Sequence, residues 1–163
     1  MTCAQTGILD GIDMIVFDLF GTLLEIGDRR RAFAHMWRKL SPEKVAAFLR
    51  MAMTSEFTLA EIDAKIGCDA TVADLATVQA AIALEVASIR LRPGIPEMLV
   101  GLTRPYGLCS NLSADYVPAA FRFPEIRPLF RILSCQVGYM KPQAEIYGMR
   151  WPHPIDLRSS ALL

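Results

Sequence analysis

Residues 14–19, MIVFDL, are apolar at every position but one and show no alternation of polar and apolar side chains. Such a run, bounded by Gly11 before and Gly21 after, fits a strand covered on both faces, as in a parallel sheet. It carries a single carboxylate, Asp18, into a turn made by Gly21 and Thr22. The stretch VFDLFGTLL at residues 16–24 therefore reads as a buried strand holding one acid out at its end.

From residue 28 to residue 90 the period becomes helical. Phe33, Met36, Trp37 and Leu40 recur at the spacing of one helix face. Ser41-Pro42 restarts a helix, serine as N-cap and proline in the first turn, with Val45, Phe48, Leu49 and Ala52 as its apolar face. Thr58 and Glu61 have the spacing of a capping box, and Gly67 that of a C-terminal stop. Thr71 and Asp74 open another helix, with Leu75, Val78, Ile82, Val86 and Ile89 along one side. The block reads as an all-helical unit inserted after the first strand.

Beyond it, RPGIPEMLVGL is a Pro-Gly turn and a short helix, YGLCS at 106–110 a second strand, and ADYVPAAF a broken helix. Residues 131–137, RILSCQV, read as a third strand ending at Gly138, and KPQAEIY begins a further helix. Strand and helix alternate outside the insertion, which predicts an α/β domain with a parallel sheet. After Tyr147 come Pro152 and Pro154. Proline inside a helix costs roughly 3 kcal/mol or more, so a helix starting at Pro142 should stop before Pro152.

Lysine plus arginine equals aspartate plus glutamate, 17 against 17, which gives no electrostatic footprint for nucleic acid or an anionic membrane. No uncharged apolar run reaches the roughly 18 residues of a membrane span, and the N-terminus lacks the pattern of a signal peptide. The expected location is the cytoplasm. Cys3, Cys68, Cys109 and Cys135 have no zinc or redox spacing and read as reduced and structural.

Three stretches in order, FDLFGTLL, LCSN and VGYMKP with Tyr147 six places after Lys141, resemble the motifs of the haloacid dehalogenase (HAD) superfamily. The helical block resembles that superfamily's cap placed after the first strand. The resemblance implies a Rossmann-like core, residues 1–24 and 91–163, and an all-helical cap, residues 25–90. It implies Asp18 as a nucleophile that forms a covalent intermediate later opened by water. Ser110 and Asn111 would offer short donors to a substrate oxygen, carboxylate or halide. Lys141 would orient Asp18 and stabilise an anionic transition state. Phe20, Gly21, Thr22 and Tyr147 would contact a small anionic substrate, with Tyr147 facing either the site or the core. Arg29, Arg30 and Arg31 follow Asp28, read as the N-cap of the first cap helix. They fit a solvated edge of the cap first and an arm for a substrate anion second. His35 and His153 show no partner pattern.

The chain departs from the family twice. Its phosphatases carry a second aspartate two residues after the nucleophile, which protonates the leaving group; here that position is Phe20. Such proton transfer contributes about 10²–10⁴-fold in rate. A halide needs no proton to leave, and the family's 2-haloacid dehalogenases also have an aromatic residue there. The expectation is an aspartate-nucleophile hydrolase, dehalogenase-like before phosphatase. The second departure is the last acidic motif, due one helix and one strand after Lys141. Only Asp156 follows, so Mg²⁺ would have Asp18 as a weak ligand without a second carboxylate, and no cofactor is expected. The alternative is a truncated or frameshifted chain with an incomplete core and little or no activity. Without a fourth strand, residues 14–17 would form an open edge prone to self-association.

Overall fold

The structure, a computed structural model, describes residues 11–38 and 40–149. Outside them lie Cys3, the N-terminal stretch read above, His153, Asp156 and the break expected before Pro152.

In chain order the elements are β1 (Ile15–Phe17), β2 (Leu24–Ile26), α1 (Ala34–Trp37), α2 (Pro42–Thr54), α3 (Leu59–Ile66), α4 (Val72–Ala87) and β3 (Ile89–Leu91). They continue with α5 (Ile95–Val100), β4 (Tyr106–Ser110), a 3-10 turn (Ala114–Tyr116), α6 (Val117–Ala120), β5 (Arg131–Leu133), α7 (Ser134–Val137) and α8 (Ala144–Tyr147). Parallel pairing gives a three-stranded sheet in the order β1-β4-β5. Helices accompany it, so the α/β class and the parallel sheet hold. β4 is central and buried along its whole length. β1 is an edge strand among the described residues, and its three residues are half-buried where the sequence predicts full cover.

Local chemistry explains the helix starts. The Ser41 hydroxyl accepts from Lys44 N at 3.4 Å, and Pro42 occupies the first turn. Thr58 with Glu61 and Thr71 with Asp74 close full capping boxes, and Gly67 ends α3 at φ 65°. Each cap satisfies backbone donors that the helix itself leaves unpaired, worth about 1 kcal/mol apiece.

Four expectations are corrected. First, β2 and β3 form an antiparallel ribbon, Leu24 opposite Leu91, Glu25 opposite Arg90 and Ile26 opposite Ile89. Arg90 Nε bonds Glu25 Oε1 across it at 2.7 Å. Ile89 therefore lies in a strand, past the end of α4, and three residues are too few to show an alternation. Second, Asp28 does not cap a helix. It pairs with Arg30 at 2.6 Å, while α1 begins only at Ala34. Third, residues 131–137 split into β5 and the single turn of α7. The Ser134 hydroxyl accepts from Leu112 N at 2.9 Å, and Gly138 closes the turn at φ 80°. Fourth, α8 starts at Ala144, so Lys141 sits in the preceding turn rather than on one helix with Tyr147.

Leu19, Leu23 and Leu24 are fully buried in the main core with Met36, Phe48, Ile82 and Leu108. Burying a leucine contributes about 1.5–3 kcal/mol, so these three pin the turn at Gly21 from both sides. A smaller cluster, Cys109, Ile132 and Ile146, is covered by Val16 and Phe130.

Candidate active site

Parallel strands bring their carboxyl ends to one rim, where ligand crevices of open α/β sheets lie. Asp18 directly follows β1, Ser110 is the last residue of β4, and Asn111 comes next. Lys141 reaches the same rim from the turn before α8. The structure brings these four together.

Asp18 Oδ1 accepts from Leu19 N at 2.8 Å and from Ser110 Oγ at 2.8 Å. Lys141 Nζ lies 3.0 Å from the same oxygen and also donates to Cys109 O at 2.9 Å. Among the described residues, Oδ2 has no hydrogen-bond partner. One carboxylate oxygen is thus held by three donors, two of them side chains, while the other has none among the described residues. The Asp18 side chain is 40% exposed and Lys141 24%. Ser110 is wholly buried. A lysine bonded to both a carboxylate and a carbonyl is a fixed cation rather than a floppy one.

Asn111 is used differently from the expectation. Its Oδ1 accepts from Lys141 N at 2.7 Å, and its Nδ2 donates to Lys141 O at 3.0 Å. This two-bond clasp sets the position of the lysine and leaves one amide N–H. Gly21 adopts φ 83°, which glycine tolerates and other residues rarely do. Its N–H donates to Leu24 O at 2.8 Å, and its carbonyl accepts from the Arg92 guanidinium. Thr22 is exposed in this turn. Tyr147 is 50% exposed on α8 and is not on the cavity wall described next.

Beside the rim, a cavity of about 550 Å³ separates the sheet from the helical segment. Phe20, Trp37, Glu85, Asn111 and Tyr116 line it, with Arg29 and Arg31. Arg30, between those two, turns away to Asp28. The Phe20 ring meets Tyr116 edge to face, centroids 6.1 Å apart. The Tyr116 hydroxyl donates to the buried Glu85 carboxylate. Burial, then the Glu85 hydrogen bond and charge, pushes the Tyr116 phenol far above its ordinary range. Burial also raises the thiols of Cys68, Cys109 and Cys135, all unbridged, which fits structural cysteines.

Sequence reasoning missed Glu85, Tyr116 and Arg92. For Glu85 a signal exists, since it is the lone charge between Asp74 and Arg90 in a mostly apolar helix. His35 has a partner after all: its Nε2 lies 2.8 Å from Asp74 Oδ1, joining α1 to α4.

Mg²⁺ demands near-octahedral oxygen coordination. At the rim, Asp18 would be a ligand, and its Oδ1 already takes three donors. No group of three His, Cys, Asp or Glu side chains among the described residues forms a metal set. None of the helices is long and apolar enough to cross a membrane, again among the described residues.

No protein-family model and no curated protein matches the sequence. Solved structures do. A HAD-family enzyme from Bacteroides thetaiotaomicron, in complex with magnesium and inorganic phosphate, is 20% identical, with a TM-score of 0.59 over 85% of this chain and 76% of that one. Another structure of that enzyme is 17% identical, with a TM-score of 0.59 over 93% of this chain and 78% of that one. A predicted HAD-like hydrolase from Porphyromonas gingivalis is 21% identical, with a TM-score of 0.53 over 92% and 86%.

Proposed function

The chain has the fold of the HAD superfamily, and from that premise we propose that it is a hydrolase whose nucleophile is Asp18, acting on small 2-haloacids in preference to phosphate esters. The observation that supports this most is the asymmetric carboxylate. Oδ1 is held by Leu19 N, Ser110 and Lys141, which leaves Oδ2 to attack. In the first step Oδ2 bonds to the carbon that bears the halide, and the carbon–halogen bond breaks with its electron pair on the leaving halide. Water then attacks the ester carbonyl, restoring the Asp18 carboxylate, releasing a 2-hydroxy acid and passing a proton to solvent.

Lys141 stabilises the charge that moves through these steps, and Asn111 positions Lys141. Phe20 cannot donate a proton, and a halide does not require one. In this reading residues 25–90 are a cap whose helices close the cavity over the rim, and residues 1–24 and 91–163 are the core. Gly21 lets the backbone approach the substrate closely.

The test is chloride release from 2-chloropropionate beside phosphate release from p-nitrophenyl phosphate. Chloride release should exceed phosphate release, and Asp18→Asn should abolish both, because an amide cannot form the ester. Undiminished turnover by Asp18→Asn would remove the assignment.

A further inference from the structure

Glu85 is 5% exposed and lines the cavity. Its carboxylate accepts the Tyr116 hydroxyl and makes no ion pair among the described residues. An ionised carboxylate has room for about four hydrogen bonds, and a buried one is costly unless they are supplied. The same wall holds a buried polar atom without a hydrogen-bond partner among the described residues, Trp37 Nε1. Indole N–H is a donor only. Arg29 and Arg31 stand nearby, with no carboxylate paired to them among the described residues. Arg31 holds φ 53°, a left-handed conformation that non-glycine residues keep only where their surroundings impose it. Between these groups the wall is aromatic, formed by Phe20, Phe33 and Trp37.

The wall thus presents Glu85, a carboxylate with one hydrogen bond and room for more, and an unmet donor in Trp37, across an apolar surface. We propose that Glu85 is a specificity residue, which accepts a hydrogen bond from a hydroxyl or ammonium group on the substrate. The ligand class is a small organic anion with an apolar body and a hydrogen-bond donor at its far end. A plain alkyl acid leaves Glu85 as underbonded as before, so it gains less on binding. This rests on the reading that the cavity serves Asp18.

Three probes differ only in that group: phenylacetate, 4-hydroxyphenylacetate and 4-(aminomethyl)phenylacetate. Calorimetry on the full chain should show one or both donor-bearing probes binding about tenfold tighter than phenylacetate, and the stronger arm tells hydroxyl from ammonium. Tyr116→Phe should keep the preference, because Glu85 remains. The double variant Glu85→Met with Tyr116→Phe removes both partners without orphaning either. It should bring the three probes within about twofold of one another. Should that variant fail to fold, Glu85→Gln takes its place and should abolish any preference for the ammonium probe over the hydroxyl one. The inference is overturned if no probe binds at millimolar concentration, if the parent chain shows no preference, or if the preference survives the double variant (the ammonium preference, in Glu85→Gln). Chloride release is scored separately. Asp18-dependent release without donor preference sinks this inference alone; donor preference without release sinks the hydrolytic reading alone.

Discussion

Replacing Gly107 by alanine puts one methyl group where the structure has no room. A Cβ there would lie 2.1 Å from Phe130 Cζ and 2.3 and 2.5 Å from the two Cε atoms, where ordinary contact begins at 3.4 Å. Gly107 is not in a left-handed conformation, so the backbone accepts alanine and the whole penalty is the collision. The ring cannot retreat freely. The Phe130 carbonyl accepts from Leu108 N at 3.0 Å, and its ring covers the cluster of Cys109, Ile132 and Ile146. Overpacking of this kind costs about 1–3 kcal/mol. The upper half of that range is expected, since three ring atoms are struck at once. For a chain of this length that lowers Tm by about 2–4 °C per kcal/mol. Urea denaturation of the parent, Gly107→Ala, Phe130→Ala and the double variant gives the coupling directly. In the Phe130→Ala background the alanine should be close to neutral, a coupling of at least about 1.5 kcal/mol. An equal cost in both backgrounds, or a cost below about 0.5 kcal/mol in the parent, would refute the reasoning.

The Tyr116 phenol ionises with more difficulty folded than unfolded, so the stability it contributes is fully present below its ordinary pKa of 10.0 and is lost as pH rises above it. Tyr116→Phe should therefore lose less stability between neutral and strongly alkaline pH than the parent does, read by pH-dependent urea melts; identical slopes contradict the burial argument. Buried Tyr106 acts in the same direction and is present in both chains. Calorimetry should find no micromolar Mg²⁺ site, because Asp18 Oδ1 is already occupied and no group of three His, Cys, Asp or Glu among the described residues joins it. β1 has one unpaired flank among the described residues and no lysine or proline to guard it, so light scattering should reveal association on concentration. A monomer at every dilution argues against that.

The helix caps were readable because a capping box is chemistry between residues three apart. Ser41, Thr58 with Glu61, and Thr71 with Asp74 carry it in the sequence itself. YGLCS was readable to the residue because it is apolar, buried along its length and fenced by Pro105. The β2–β3 ribbon was not, since three residues hold no period and their partners lie over 60 residues away. The convergence of Asp18 and Ser110 could be anticipated from strand ends, and that of Lys141 only from the resemblance to the family's motifs. The bonds around it could not: nothing local says that Asn111 spends its amide on the Lys141 backbone, or that Glu85 meets Tyr116.

Leu24 and Leu91 are register partners, so the chain leaves for its helical segment and returns from it at a single point. This bears on the order of assembly. Phe17 pairs with Leu108, and closing that loop directly spans roughly ninety residues, at an entropic cost that grows with the logarithm of the length. Once α2 to α4 have formed and the ribbon has zipped, the same pairing closes only about twenty free residues. The saving is about 1 kcal/mol, close to a tenfold gain in rate for the parallel strands. The middle of this sequence should fold first, and its two flanks should find each other through it.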